Sequence, residues 1–351
     1  MYTYSMAEKP FLLGITGNIA SGKSVVRQYL ENAGAFTIDS DLLAQQTYLP
    51  GSLAYQPIID RFGEDLLLGD GQINRSKLGR IVFNDPQALH ELEGLIYPTL
   101  FSWLEALLKS SGPSLYAIEA INLFESGLDA ICDANWTVIA PDDLRFERLM
   151  DERGLLAAQA RARLEAQNPQ EEKAERADAA ISTAGSFLET WQKTSAHLAA
   201  LPLNKPLINS QAGLFAADPL DETIWPTEEQ AQTEERCRLL ARHSIHFWDH
   251  AEGRSQVNWK MTSRLAMLRN AQPRPPLELR PDFLHALAAQ AKLQLAQDLV
   301  IRADFLTPAL AKHAGFWPGE DTPEGLNPVF YTNYLRQQAL MPAEAYHLPL
   351  G

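Results

Sequence analysis

The stretch Gly17 to Ser24, G-N-I-A-S-G-K-S, decides the fold of this chain. An apolar run from Phe11 to Thr16 precedes it, and a stretch compatible with a helix, Val25 to Leu30, follows it. A strand, a glycine-containing loop and a helix in this order form the context in which the Walker A spacing binds phosphate. We therefore predict an α/β P-loop fold in three layers, with a parallel sheet between helices.

Each residue type in the loop has a chemical reason to be there. Gly17 and Gly22 permit backbone angles that a side chain would forbid, so successive N–H groups can converge on phosphate oxygens. The N-terminus of the next helix adds unpaired N–H groups and its positive dipole end. Lys23 is expected to reach the outer phosphates and the Ser24 hydroxyl to bind Mg²⁺. We predict that a nucleoside triphosphate is bound by Gly17, Asn18, Ile19, Ala20, Ser21, Gly22, Lys23, Ser24 and Val25.

Length and composition indicate a globular protein. The 351 residues are 46% hydrophobic and 21% charged, and the chain is long enough for two domains. A net charge of −14 without a basic patch argues against a nucleic-acid partner. The two cysteines, Cys132 and Cys237, fit a reducing compartment. Because signal and membrane-spanning patterns are absent, we expect a cytoplasmic protein without a membrane partner. We also expect a monomer.

Two acidic residues follow the next short strand. Phe36 to Ile38 reads as a strand and runs into Asp39 and Asp41. Carboxylates at the carboxyl end of a parallel strand beside the phosphate loop face the ligand crevice, and we expect one of these two to do so. Asp41 can also be read as the N-cap of a helix that begins at Leu42, and the two roles are compatible.

The rest of the first half alternates between helical and strand patterns. Residues 45–115 are expected to be mostly helical, with a further helix starting at Tyr97-Pro98, and read as an inserted substrate region. Strands are predicted over residues 114–118 and 136–140, which supports a doubly wound sheet. An arginine-rich helical stretch follows. Its residues can form a solvated helix face, but phosphoryl transfer needs cations, so we expect a phosphate role for at least one of Arg145, Arg148, Arg153, Arg161 and Arg163.

Roughly residues 10–200 resemble the dephospho-coenzyme A kinase family. The resemblance rests on an ordered set of segments besides the phosphate loop: I-D-S-D-L-L-A, D-G-Q-I-N-R-S-K-L-G, L-E-G-L-I-Y-P, L-F-E-S-G-L, A-R-A-R-L-E-A-Q and E-E-K-A-E-R-A-D. It implies a P-loop core, a helical coenzyme-binding region and a lid. It also implies transfer of the ATP γ-phosphoryl group to the ribose 3′-hydroxyl of dephospho-coenzyme A.

The resemblance assigns roles to individual positions. Asp41 matches the general base, and Lys23 is implied as the second catalytic residue, with Ser24 holding Mg²⁺. The acceptor is expected to contact Asp41, Arg75, Tyr97 and Glu125. Arg148 is expected at the ATP, with Arg153 and Arg163 as further lid residues.

Several positions depart from the family pattern: Tyr97 replaces a histidine, Ile121-Asn122-Leu123 replaces Pro-Leu-Leu, Arg145 replaces a glutamine, Glu152 replaces an arginine, and Thr183 replaces an asparagine. Arg153 lies one residue after the family's arginine, a rotation of about 100° on a helix. Two alternatives therefore stay open. One is a P-loop kinase for another nucleoside-like alcohol, and the other is a nucleotide-binding regulatory protein that has lost transfer activity.

The second half is expected to be a separate domain. Residues 201–226 contain four prolines and read as a linker between a P-loop domain (1–200) and a mostly helical or α/β domain (227–351). A helix from Thr227 to about His250 would place three histidines on one face, for which an aromatic packing face is favoured over a metal site. These histidines are His243, His246 and His250.

Further elements are predicted beyond this helix. We expect a helix over 282–297, a strand over 299–301 and a short helix over 307–315. The segment Leu306 to Trp317 faintly resembles the last helix of GNAT-family acetyltransferases, but that family's glycine-rich pyrophosphate signature is absent. The sequence assigns no function to this half.

Overall fold

The structure, a computed structural model, describes residues 9–82, 85–109, 114–203, 207, 214–216, 219–220, 233–242, 244–250, 253–261, 265–272, 298–302, 317–318 and 345–349. The described elements in chain order are β1 (Phe11–Thr16), α1 (Lys23–Asn32), β2 (Phe36–Asp39), α2 (Ser40–Gln46), α3 (Tyr55–Phe62), α4 (Arg75–Val82), α5 (Pro86–Lys109), β3 (Leu115–Glu119), β4 (Ala134–Ile139), α6 (Asp142–Asp151), α7 (Ala157–Glu165), α8 (Gln170–Arg176), β5 (Ala179–Ser182), α9 (Phe187–Ala199), β6 (Leu214–Ala216), α10 (Thr233–Leu240), β7 (Ser244–His250), β8 (Gly253–Met261), β9 (Leu265–Gln272), β10 (Asp298–Arg302), β11 (Trp317–Pro318) and β12 (Ala345–Pro349). The chain divides into two compact units, one around Ile38–Ser111 and one around Pro10–Thr37 and Gly112–Gly351.

A five-stranded sheet carries the phosphate loop. Its strand order is β2-β3-β1-β4-β5, and β1 pairs in parallel with β3 and β4, as does β4 with β5. Side chains on both faces of β1 and β3 are buried, which is why these strands read as continuous apolar runs. The predicted P-loop fold is confirmed, as are the strands expected over residues 36–38, 114–118 and 136–140, which are β2, β3 and β4.

The unit around Ile38–Ser111 is built from α2 to α5, as the helical prediction for residues 45–115 expected. The predicted helix start at Tyr97-Pro98 is wrong, because Pro98 lies inside the single helix α5. A buried stripe with a four-residue repeat, from Leu92 through Ile96 and Leu100 to Leu104, runs through the proline. Burying each of these four side chains stabilises the fold by about 2 kcal/mol. Together they outweigh the roughly 3 kcal/mol that a proline costs inside a helix.

The helix predicted from Thr227 to about His250 is also wrong. Within the described residues of this stretch, Thr233–Leu240 is a helix, whereas Ser244–His250 is a strand that pairs antiparallel with β8. The run I-H-F-W is rich in β-branched and aromatic residues, which fit a pleated sheet. In a strand the side-chain period is two, so the helical spacing of the histidines has no meaning there. Thr227 and His243 lie outside the described residues.

The remaining strands form a seven-stranded sheet in the order β11-β12-β10-β9-β8-β7-β6. β9 and β10 run parallel, and the other described pairs of this sheet are antiparallel. The strand predicted over 299–301 is confirmed as β10, whereas the helices predicted over 282–297 and 307–315 lie outside the described residues. β6 falls within the predicted linker, 201–226, so part of that segment belongs to this sheet. The described elements agree with the α/β alternative for this half.

Candidate functional site

The phosphate loop adopts the backbone angles that only glycine accepts easily. Gly17 has φ +141° and Gly22 has φ +94°, both in the left-handed region. A Cβ on Gly17 would overlap the Val138 carbonyl oxygen, and a Cβ on Gly22 would lie 2.9 Å from Thr183 Oγ1. Ala20, with φ +60°, is the non-glycine residue with positive φ among the described residues. The positive φ angles and the close neighbours together explain why glycine stands at both positions.

Lys23 folds back over the loop. Its side chain is buried, and Nζ donates hydrogen bonds to the carbonyl oxygens of Gly17 at 2.9 Å and Asn18 at 3.0 Å. Ser24 follows in the first turn of α1 and is exposed. The Val25 amide, which was predicted to bind nucleotide, donates to the Gly22 carbonyl at 3.0 Å and so belongs to the first turn of the helix.

Side chains from distant parts of the chain hold the next three carbonyls of the loop. Arg145 Nε donates to Ile19 O at 3.0 Å, Arg148 Nη1 donates to Ala20 O at 3.1 Å, and Thr183 Oγ1 donates to Ser21 O at 2.7 Å. Together with the bonds from Lys23, every carbonyl from residue 17 to residue 21 accepts a hydrogen bond from a side chain. The negative ends of these peptide dipoles are thereby engaged by donors, which favours an anion at the N–H side of the loop.

Arg145 is the centre of a buried network. Its side chain is 4% exposed, and Nη1 pairs with Asp142 Oδ1 at 2.7 Å while Nη2 donates to Gln167 Oε1 at 3.3 Å. The same Gln167 oxygen accepts the Ile19 amide at 2.7 Å. Asn18 Nδ2 donates to the carbonyl of Asn168 at 2.7 Å. Sequence reasoning missed Gln167 and Asn168 as loop contacts, although Gln167 ends the segment A-R-A-R-L-E-A-Q.

Arg148 and Thr183 form the other anchor. Arg148 Nη1 donates to Thr183 Oγ1 at 3.0 Å, and Nη2 donates to the Thr183 carbonyl at 2.8 Å. Burial lowers the pKa of Arg148, and the nearby Glu152 carboxylate partly opposes this. Thr183 is 3% exposed, so its hydroxyl connects the arginine to the loop without access of water. The threonine that departs from the family pattern is thus a contact of the phosphate loop.

The other predicted lid arginines lie on the surface. Arg153 is exposed in the turn after α6, and Arg163 is exposed in the last turn of α7. Arg161, also on α7, stacks over the ring of Phe146 at 5.4 Å. The arginine-rich stretch therefore divides into two anchors of the loop, the buried Arg145 and the partly buried Arg148, and three exposed arginines.

The loop after β3 carries Glu125. Its carboxylate is 45% exposed and pairs with the buried Lys173 ammonium at 3.3 Å. Lys173 also donates to the Ile121 carbonyl, which accepts the Thr16 hydroxyl at 3.0 Å as well. The end of β1 and helix α8 therefore hold this loop, and with it the predicted acceptor residue Glu125.

In the other unit, Asp39 and Asp41 have separate roles. Asp39 is the N-cap of α2, and its Oδ1 accepts the amides of Asp41 and Leu42, both at 3.0 Å. The alternative in which Asp41 caps the helix is therefore wrong. Asp41 lies in the first turn of α2 and is exposed. Its carboxylate has no part in the cap and faces solvent.

Tyr48 lies near two of the predicted residues of this unit. Burial raises the pKa of Tyr48, whereas a hydrogen bond and the charge of Arg75 lower it and the charge of Asp41 raises it further. A phenol, a guanidinium and a carboxylate are thus close together. Sequence reasoning missed Tyr48, which lies in the turn after α2. Tyr97 lies on α5, partly buried against the helical core, with its hydroxyl 3.4 Å from Glu93 Oε1.

The chain is similar to known proteins over its first half. The family model for dephospho-CoA kinase matches residues 11–189. The dephospho-CoA kinase of Moorella thermoacetica is 38% identical over 200 residues, which is 54% of this chain and 94% of that protein. The dephospho-CoA kinase of Carboxydothermus hydrogenoformans is 38% identical over 182 residues, which is 51% of this chain and 88% of that protein. The structure of dephospho-CoA kinase from Campylobacter jejuni aligns with 54% of this chain and 95% of its own, at 26% identity and a TM-score of 0.39. This chain belongs to the dephospho-CoA kinase family.

Proposed function

We propose that this protein transfers the γ-phosphoryl group of ATP to the ribose 3′-hydroxyl of dephospho-coenzyme A. Family membership supports the reaction, and one structural observation carries it. Every carbonyl from Gly17 to Ser21 accepts a hydrogen bond from a side chain, and the buried Lys23 ammonium lies against the same loop. Such a loop is prepared for a polyphosphate, because its positive groups are already in place before the ligand arrives.

The loop would bind the ATP phosphates. Lys23 would exchange its bonds to two carbonyls for bonds to phosphate oxygens, which carry more negative charge. The Ser24 hydroxyl is an exposed oxygen ligand at a helix N-terminus, which fits Mg²⁺, a cation that prefers oxygen and keeps several waters. When bound, Mg²⁺ neutralises charge on the β- and γ-phosphates. Arg148, whose guanidinium borders the loop, would contact the same ligand, and the exposed Arg153 and Arg163 would add charge from the lid.

Asp41 would act as the general base. As the 3′-oxygen attacks phosphorus, its proton passes to the Asp41 carboxylate, a new O–P bond forms, the bond to the bridging oxygen breaks and ADP leaves. Asp41 is exposed in the first turn of α2, and the cap of that helix is formed by Asp39. Arg75 suits the diphosphate of the acceptor, because guanidinium groups bind phosphate in a bidentate manner. Tyr97 and Glu125 are proposed as further acceptor contacts.

A coupled assay of ADP release tests the reaction. The purified chain with ATP and Mg²⁺ should release ADP when dephospho-coenzyme A is present, and mass spectrometry should identify coenzyme A as the product. The same assay with its 3′-deoxy analogue should show no transfer. Turnover with a different nucleoside alcohol and none with dephospho-coenzyme A would favour the other-acceptor alternative. ATP binding without transfer to any acceptor would favour the regulatory alternative.

We also propose that the protein acts as a cytoplasmic monomer, with domains at residues 1–200 and 227–351. Among the described helices, none is both long and apolar enough to cross a membrane. Cys132 and Cys237 are both free thiols. Light scattering after size-exclusion chromatography measures the mass in solution, and a mass of about 78 kDa, twice the 39.1 kDa of the chain, would refute the monomer.

A further inference from the structure

Helix α10 lies outside residues 11–189, which match the kinase family, yet it packs against two helices of the kinase core. Leu240 and Ala241, at its C-terminal end, are buried in one cluster with Tyr29 of α1. Phe187 and Trp191 of α9 border this cluster. The contact is apolar at its centre and joins the second half of the chain to the core.

Polar side chains of α1 bind the C-terminal end of α10. The Tyr29 hydroxyl is 3.0 Å from the Cys237 carbonyl and 3.2 Å from the Phe187 carbonyl. Asn32 Nδ2 donates to the carbonyl of Leu240, the last residue of α10, at 2.8 Å. The last carbonyls of a helix have no partner within the helix, so Asn32 satisfies one of them. Tyr29 is 3% and Asn32 is 4% exposed, and without α10 both polar groups would lose these partners.

In return, α10 caps α9. The two carboxylate oxygens of Glu234 accept the amides of Phe187 and Leu188, each at 2.9 Å. These are the first two amides of α9, which have no acceptor within that helix. Burial alone would raise the pKa of Glu234, but the hydrogen bonds from Leu188, Phe187 and Ser186, with the charge of Arg238, lower it overall. The Ser186 side chain is the N-cap of α9, and the Glu234 carboxylate, 47 positions after Phe187, adds a charged acceptor for the first two amides of that helix.

Both helices held by α10 lead directly to the phosphate loop. α1 begins at Lys23, and Val25 in its first turns also packs against the cluster at α10. α9 begins at Phe187, four residues after Thr183, whose hydroxyl binds the Ser21 carbonyl. α10 is therefore connected to the loop by two routes, through helix α1 and through the short segment between Thr183 and α9.

We propose that α10 is an intramolecular clamp that couples the second half of the chain to nucleotide binding at Gly17–Ser24. The inference rests on the proposed function only to the extent that the loop binds ATP. Because coupling is reciprocal, a partner or ligand that loosens α10 would weaken ATP binding, and ATP would tighten α10. A helix that is absent from the family's matched region thereby gives the appended half a means of affecting the kinase.

A pair of adjacent glutamates on α10 provides the test. In the full chain, Glu234→Ala removes the acceptor of the first two amides of α9 and leaves the Ser186 N-cap in place, whereas Glu235→Ala removes a partner of Arg238 in a pair that is 44% exposed on both sides. Calorimetry with a non-hydrolysable ATP analogue measures Kd, and thermal unfolding measures Tm. We expect Glu234→Ala to raise Kd about fivefold, at the lower end of typical coupling, and to lower Tm. Glu235→Ala should match the unchanged chain in both measurements.

The outcomes separate coupling from plain stability. A Glu234→Ala variant with lower Tm and unchanged Kd would overturn the clamp, as would equal effects of the two variants on Kd. If Glu234→Ala does not fold, Tyr29→Phe keeps the ring in the core and removes only the hydroxyl, and its Kd is then the deciding measurement. The binding assay needs no acceptor, so failure of transfer to dephospho-coenzyme A does not affect it.

Hydrogen exchange tests the reciprocal effect. Saturating ATP analogue should slow exchange of the amides of residues 233–240, which lie outside the family's matched region. Exchange of these amides at an unchanged rate, while amides of the loop become protected, would contradict the proposal. The amides of α5, in the unit around Ile38–Ser111, serve as an internal comparison.

Discussion

The anchor between Thr183 and the phosphate loop can be removed with almost no change in shape. Thr183→Val replaces a hydroxyl with a methyl group of similar size. The hydroxyl donates to Ser21 O at 2.7 Å and accepts from Arg148 Nη1 at 3.0 Å. Thr183 is 3% exposed, so water has little access to the groups that lose their partner.

The size of the effect follows from these two bonds. The bond to Ser21 is neutral and is worth about 1 kcal/mol, and the bond from the charged Arg148 is worth about 1.5–3 kcal/mol. Arg148 keeps its bonds to Thr183 O and Ala20 O, which limits the loss. We expect a total loss of about 2–3 kcal/mol in unfolding free energy. If half of this free-energy loss also weakens ATP binding, the affinity for ATP falls roughly tenfold, since about 1.4 kcal/mol is a factor of ten.

Calorimetric titration with a non-hydrolysable ATP analogue, together with urea unfolding, measures both terms. Thr183→Ser is the matched control, because it keeps the hydroxyl and should bind nearly as well as the unchanged chain. If the valine and serine variants bind the analogue equally well, the anchor has no role in shaping the loop. Stability that falls in the valine variant without a change in affinity would lead to the same conclusion.

Four further predictions concern the loop, the base, the pH and the metal. Gly22→Ala should cost about 1–3 kcal/mol of stability through its left-handed angle and abolish ATP binding, whereas Gly94→Ala, at an open helical position, should be neutral or stabilising in thermal unfolding. Asp41→Asn should lower kcat about 10²- to 10⁴-fold and leave analogue binding unchanged; robust turnover would remove the assignment as base. Because the folded-state pKa of Glu234 is lowered, its contribution to the free energy of unfolding is complete above its ordinary pKa and is lost as the pH falls through the lowered one. Between about pH 6 and about pH 3, the free energy of unfolding should therefore fall less in Glu234→Gln than in the unchanged chain. EDTA should abolish activity, Mg²⁺ should restore it, and Ser24→Ala should require more Mg²⁺ for half-maximal rate; activity that persists in EDTA would contradict the metal requirement.

Much of the core could be predicted because its signals are local. The glycine angles at residues 17 and 22 follow from the spacing of the loop, and buried parallel strands appear as unbroken apolar runs. Local rules failed where packing outweighed them. Pro98 reads as a helix start, yet the apolar stripe from Leu92 to Leu104 keeps one helix through it. The run after Ser244 had a helical spacing of histidines, but pairing with a neighbouring strand decided its conformation.

The contacts that shape the candidate site were less accessible to sequence reasoning. Arg145 was one of five arginines with an expected phosphate role and a departure from the family pattern, and Thr183 was noted only as such a departure. The roles of Gln167 and Tyr48 were missed. Arg145 reaches a carbonyl 126 residues away, and Thr183 reaches one 162 residues away. No periodicity within one helix or strand reports such a contact, because the partner is chosen by how the elements pack.

The sequence by itself determined that this chain has a phosphate loop between a strand and a helix, and that it carries Lys23, Ser24 and Asp41, the residues that we propose for phosphoryl transfer. These features depend on backbone freedom, residue chemistry and spacing within a few residues. The tertiary structure alone decided which side chains hold the loop's carbonyls, that Asp39 rather than Asp41 caps α2, and that α10 binds α1 and α9. Those outcomes depend on donors and acceptors that are far apart in the chain and become neighbours only when the helices and strands pack together.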